Sequence, residues 1–175
     1  VEAGEDDLER ALAYIRAQPA ITDVVVAGRR DALWSLSRTL RVVDRVLAIP
    51  TVVTVRLRSV RLGLAPGELS RAAVARLAER NRLRVAAPRR VELEIQLLHS
   101  RELGPGLRDA VWELRRHGVA VYNNTPLLGL INDNEHELLR VAHGCRDAGV
   151  EFCNVYVAGL PVQLDYENDG EIDDE

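Results

Sequence analysis

Apolar residues along this chain recur with two alternating rhythms. Over 6–16, Leu8, Ala11, Leu12 and Ile15 follow the helical period, and Pro19 closes that segment. Val24, Val25 and Val26 then run without interruption from Asp23 to Ala27, the pattern of a buried strand. The same reading predicts a helix over 37–47 and, after Pro50, a strand over 52–57. A helix over 68–81 follows, entered through Pro66-Gly67, and then a strand over 91–98. A helix over 107–117 stops at Gly118, and a strand covers 119–123. Finally a helix over 134–148 stops at Gly149, before a strand over 150–157.

Each of the five predicted strands is reached through a helix, and they start near residues 23, 52, 91, 119 and 150. Such spacing marks β-α units and a parallel sheet. The strands read as Val-rich and mostly continuous, which predicts that both faces are covered. A closed eight-stranded barrel needs ~250 residues, and this chain has 175. The expected class is therefore α/β: about five parallel strands with alternating helices, in an open doubly wound sheet or a partial barrel. Either architecture places ligands at the carboxyl ends of the strands. That directs attention to the segments 27–34, 57–66, 98–106, 123–133 and 157–163.

Candidate chemistry is found in those segments. Gly28 lets backbone approach a ligand, and Asp31 offers a carboxylate that either accepts from an ammonium or caps the next helix. Arg56, Arg58 and Arg61 surround a strand end, where guanidinium groups hold a carboxylate or phosphate or form a solvated edge. His99 is the one histidine at the end of a predicted strand, since His117, His136 and His143 fall on helices or helix ends. The segment 123–133 is rich in hydrogen-bonding side chains and ends in Asp133, a candidate amine ligand or N-cap.

Composition adjusts this picture. All 23 basic residues are Arg, and Lys and Met are both absent. A chain that opens on Val1 without Met reads as a piece of a longer protein or a processed one. The net charge of −4 hides an acidic tail: 165–175 carries seven acids and no base. Without it, 20 acids face 23 Arg. The expected division is a domain over 1–163 and a disordered acidic tail over 164–175. The tail follows the rhythm of a calcium loop but ends at its eleventh position, before the bidentate Glu. Evenly mixed charge and few aromatics argue against a nucleic-acid partner. No apolar run reaches the ~18 residues of a membrane span, so a cytoplasmic protein is expected. Cys145 and Cys153 form neither a disulfide framework nor a zinc motif, and reduced thiols are expected.

The strand-end segments resemble, in order and spacing, those of the lysine 2,3-aminomutase family of radical S-adenosylmethionine enzymes. Residues 21–33 look like that family's strand and "SGGDAL" loop, and 54–59 are similar to "IVRIGSR". Residues 99–102 resemble the "HPNE" that follows "LNTHFN", and 123–133 resemble "NQSVLLRGVND". Residues 155–157 fall where "YYIYQCD" stands. The resemblance covers roughly residues 5 to 160 and implies the central part of a partial (β/α)6, TIM-like barrel.

The resemblance further implies amino-group migration on an amino-acid-like substrate, with S-adenosylmethionine and a [4Fe–4S] cluster as cofactors. Contacts to S-adenosylmethionine are implied for Gly28, Asp31, Arg56, Ser59, Gln96 and His99, and to the substrate amine for Asp133. Departures limit what the chain does alone. It lacks three cysteines for the usual cluster ligation, and it has no Lys for a Schiff base to pyridoxal phosphate. Arg29-Arg30 replaces the glycine pair of the first loop, and no acid follows the last strand at Ala158-Gly159-Leu160-Pro161. The expectation is a catalytically silent fragment of such an enzyme. The alternative is a non-catalytic α/β binding or interaction module descended from that barrel, with a homo-oligomer or partner at an exposed sheet edge.

Overall fold

The computed structural model describes residues 4–27, 31–81 and 88–157. Gly28, Arg29-Arg30 and the stretch from 158 onward, including the acidic tail, lie outside the described residues. The elements run α1 (Glu5–Ala17), β1 (Asp23–Val26), α2 (Leu36–Leu47), β2 (Thr54–Arg58), the short α3 (Arg61–Leu64) and α4 (Arg71–Ala78). They continue with β3 (Arg90–Ile95), α5 (Pro105–Arg116), β4 (Val121–Leu127), α6 (Glu135–Ala148) and β5 (Glu151–Val157). Single 3₁₀ turns occupy Pro66–Glu68 and Ser100–Glu102.

The strands lie in sequence order, β1-β2-β3-β4-β5, and every neighbouring pair is parallel. They form a strongly curled half-barrel with alternating helices, as expected of a partial α/β barrel. The apolar core fills the space between the convex face of the sheet and the helices. Val55, Leu57, Val91, Leu93, Ile95 and Val121 from the strands meet Leu40, Val43, Leu77, Leu107, Val111 and Val141 from the helices, all buried. Burying each such side chain contributes about 1.5–3 kcal/mol, which secures the scaffold under the strand ends.

Helix boundaries follow local chemistry. Ser70 Oγ accepts from Ala73 N at 3.2 Å and starts α4, so the helix predicted over 68–81 is shorter, preceded by the turn Pro66–Glu68. Asn134 Oδ1 accepts from Glu137 N at 3.0 Å and starts α6. That cap belongs to Asn134 rather than Asp133. Gly149 ends α6 at φ 76°, a left-handed conformation that glycine adopts without steric cost.

The ends of β3 and β4 differ from the sequence-based prediction. β3 stops at Ile95, because Leu97 N donates to Asn123 Oδ1 at 2.9 Å instead of to a strand neighbour. His99 therefore sits one turn beyond the strand, as the cap of Ser100–Glu102. β4 continues through Pro126 to Leu127, so the first half of the predicted loop 123–133 is strand. Pro126 is tolerated there because β3 pairs with β4 only as far as Asn123.

The two faces of β2 and β3 are both largely covered but differ in character. β2 alternates Thr54, Arg56, Arg58 with Val55, Leu57, and β3 alternates Glu92, Glu94 with Val91, Leu93, Ile95. Only the second set packs in the helix-side core. The concave face is polar.

Candidate functional site

The parallel register sets Arg56 opposite Glu92 and Arg58 opposite Glu94 on that concave face. Arg56 donates through Nε and Nη2 to Glu92 Oε2 at 3.1 and 2.9 Å, and Arg58 Nε donates to Glu94 Oε1 at 2.6 Å. β4 adds Tyr122, whose ring lies 4.2 Å beneath the Arg56 guanidinium, and Asn124, whose Nδ2 donates to Glu94 Oε1 at 3.2 Å. Farther along, Gln96 Nε2 donates to the Tyr156 hydroxyl of β5 at 2.8 Å. Both glutamates are buried, yet each is paired, as burial of a carboxylate requires. Burial works against the charge on Arg56, but the hydrogen bonds and field of Glu92 prevail and raise its pKa. Asn124 Oδ1 is buried with no partner among the described residues, which leaves an acceptor on this surface.

The rim at the carboxyl ends is built by carboxylates that gather backbone N–H groups. Asp31 Oδ1 accepts from Leu33 N and from Ser59 Oγ, both at 2.9 Å, while Oδ2 accepts from Arg61 N at 2.7 Å. The structure therefore brings Asp31 and Ser59 together, and the pair stitches the loop after β1 to the loop after β2. Ser59 is fully buried and also accepts from Leu62 N at 3.2 Å. Above this junction Arg61 stacks 4.4 Å over the exposed indole of Trp34 and pairs with Glu68. A cavity of about 210 Å³ opens beside them, lined in part by Leu33, Leu62 and Leu69.

His99 stands on the next stretch of rim, and its neighbour Glu137 was not singled out from sequence. Glu137 is only 1% exposed. Its Oε1 accepts from Ser100 N at 2.6 Å and lies 3.1 Å from His99 Nδ1. Its Oε2 accepts from Arg140 Nη2 at 2.6 Å. Burial pushes this carboxyl upward, but the Ser100 N–H, the Arg140 guanidinium and the nearby His99 outweigh it and hold the pKa at about 2. The spacing of Asn134 and Glu137 matches a capping box, in which the acid reaches back to the cap. That signal was legible, but the diversion of the acid across to the loop after β3 depends on tertiary packing.

The last part of the rim is the loop after β4. Asn132 is buried, its Oδ1 accepting from Leu128 N at 2.7 Å and its Nδ2 donating to Pro126 O at 2.9 Å. It folds the loop so that Asp133 emerges exposed beside α6. Leu130 takes φ 65° and is 99% exposed, at the position where the "NQSVLLRGVND" pattern has Gly.

The candidate residues thus divide. Asp31 and Ser59 are in contact, Arg56 lies on the concave face, and Gln96 reaches β5. His99 and Asp133 lie on separate rim loops, and Gly28 is outside the described residues. Cys145 is buried, with its thiol pushed up to about 12 by burial against a partly offsetting hydrogen bond with Asn123, whereas Cys153 is exposed. Two cysteines on different elements do not fit a [4Fe–4S] cluster, and a chain without Lys has no amine for a Schiff base. Among the described residues no group of three or more His, Cys, Asp and Glu is arranged to hold a metal ion. No helix among them is long and apolar enough to cross a membrane.

Comparison with known proteins adds lineage to this geometry. No family model matches the chain. It is 28% identical over 143 residues to the L-lysine 2,3-aminomutase of Escherichia coli (strain K12), a match covering 81% of this chain and 40% of that protein. It is 27% identical over 161 residues to the L-lysine 2,3-aminomutase of Fusobacterium nucleatum subsp. nucleatum, covering 92% of this chain and 36% of that protein. The chain therefore spans about two fifths of the length of these curated relatives. The half-barrel and the two matches over most of the chain support a lysine aminomutase-like family for this protein.

Proposed function

We propose that this chain forms the central floor of an aminomutase-like radical S-adenosylmethionine protein. In this reading it binds S-adenosylmethionine at the carboxyl ends of β1–β3 and an amino-acid ammonium beside Asp133. The observation that carries it is the polar concave face of the half-barrel, which leads to the strand ends. Two L-lysine 2,3-aminomutases match the same stretch of chain. Arg56, Gln96 and His99 present polar groups there. Asp31 and Ser59 shape the adjoining rim through contacts to each other.

The chain's own residues bind and orient. Its cysteines do not fit a cluster and it has no Lys, so no radical or Schiff-base step is assigned to it, and it is catalytically silent alone. Calorimetric titration with S-adenosylmethionine tests the reading. Saturable binding is expected, lost in H99A, and D133A is expected to weaken amino-acid binding without unfolding the domain. A folded chain that binds neither molecule would overturn it.

The second reading is a non-catalytic binding or interaction module. It is favoured by the Arg56–Glu92 and Arg58–Glu94 pairs, which occupy concave space with protein side chains. Absence of S-adenosylmethionine binding, together with self-association or capture of a partner at a sheet edge, is the outcome that distinguishes it.

A further inference from the structure

His99 Nδ1 faces two groups that make opposite demands. Arg101 N–H points at it from 3.2 Å and requires a lone pair there. Glu137 Oε1, at 3.1 Å, is an acceptor and requires a proton there. Only one demand can be met, because a lone pair facing a carboxylate and an N–H facing an N–H are both repulsive. Glu137 is buried and held in place by Ser100 N on Oε1 and by Arg140 on Oε2, so its Oε1 cannot turn away from the ring. Arg101 is exposed, and its N–H finds water at little cost. A hydrogen bond to a carboxylate is also roughly twice as strong as one between neutral groups.

We infer that Glu137 is a positioning residue that holds the neutral His99 ring in its Nδ1–H form, so that Nε2 keeps its lone pair as a hydrogen-bond acceptor for a ligand at the strand-end mouth. Nε2 has no hydrogen bond among the described residues, and about a third of the His99 side chain is exposed while Glu137 is enclosed. The ligand that such a nitrogen takes is a donor: a hydroxyl or an N–H group, rather than an anion. This rests on the strand-end mouth being a ligand site. It assigns His99 to a donor on S-adenosylmethionine, such as a ribose hydroxyl or an amino group, and not to the carboxylate.

The test needs no ligand in its first arm. Nitrogen chemical shifts of the His99 ring, recorded at about pH 9, well above the ordinary imidazole range, report which nitrogen carries the proton. The expected result is Nδ1–H in the unmodified chain. In Glu137→Gln, which keeps an acceptor for Ser100 N–H, the ratio of Nδ1–H to Nε2–H should fall about tenfold. An Nε2–H ring in the unmodified chain overturns the inference, even if the variant fails to fold. So does a ratio unchanged by the substitution.

The second arm is a double-mutant cycle on S-adenosylmethionine affinity. E137Q should weaken binding, and should have no further effect in an H99A background, because it acts through the ring. An equal loss in both backgrounds would make Glu137 merely structural. Failure of the unmodified chain to bind S-adenosylmethionine would overturn the ligand assignment, while the tautomer arm would still decide the role of Glu137.

Discussion

Leu130 shows what one residue carries for its neighbours. Its φ of 65° costs an L-residue about 1 kcal/mol, and with its side chain 99% exposed no burial offsets this. Asn tolerates this conformation, so L130N should raise unfolding stability by about 1 kcal/mol, read from urea titration. An unchanged or lower midpoint would show that the side chain has a contact that stabilises it. Glu137 makes a different prediction. Its carboxyl is held at about 2, below the value of an unfolded chain, so its contribution is present above the ordinary carboxylate range and fades as pH falls through the native value. Stability should therefore drop between about pH 5 and pH 2, and E137Q should flatten that limb of the profile. A parallel decline in the variant would assign the acid sensitivity to other carboxylates. Neither residue stood out in the sequence: an exposed Leu in a loop and an acid in a capping box are both ordinary there.

Pairs of elements are where sequence and structure agree least evenly. The helical stretches were legible from period alone, because α2, α5 and α6 each bury one stripe against a convex sheet. The alternation of Arg and Glu along β2 and β3 was equally visible, but a continuous apolar reading of the strands obscured it. What no sequence pattern supplies is the register that sets Arg56 against Glu92 and Arg58 against Glu94. Removing one partner of such a pair strands a buried charge. R56M should destabilise the domain by about 2 kcal/mol, and adding E92M should recover most of that loss, measured by chemical denaturation. Additive effects of the two substitutions would mean that the pair is not coupled. Likewise, the first half of the predicted loop 123–133 became strand, since Asn123 serves Leu97 N from inside the sheet.

Across the whole molecule, order is distributed unevenly over the five strands. β3 is buried along nearly its whole length between two neighbours, whereas every residue of β5 is exposed. Backbone amides of β3 should therefore resist hydrogen exchange at least about a hundredfold longer than those of β5, in line with graded local opening. Equal protection would show that β5 is covered in solution. The order of the β-α units was legible because spacing and helix stops repeat with each unit. The half-barrel's polar interior was not, since curvature is a property of the assembled sheet and of no single strand. The two thiols lie on opposite sides of this division, one enclosed in α6 and the other open on β5, within the electrostatic reach of Arg56. A maleimide dye will accordingly settle on Cys153 alone, with no substitution required. A single-site fluorophore on that strand turns the native chain into its own optical sensor for whatever enters the concave face.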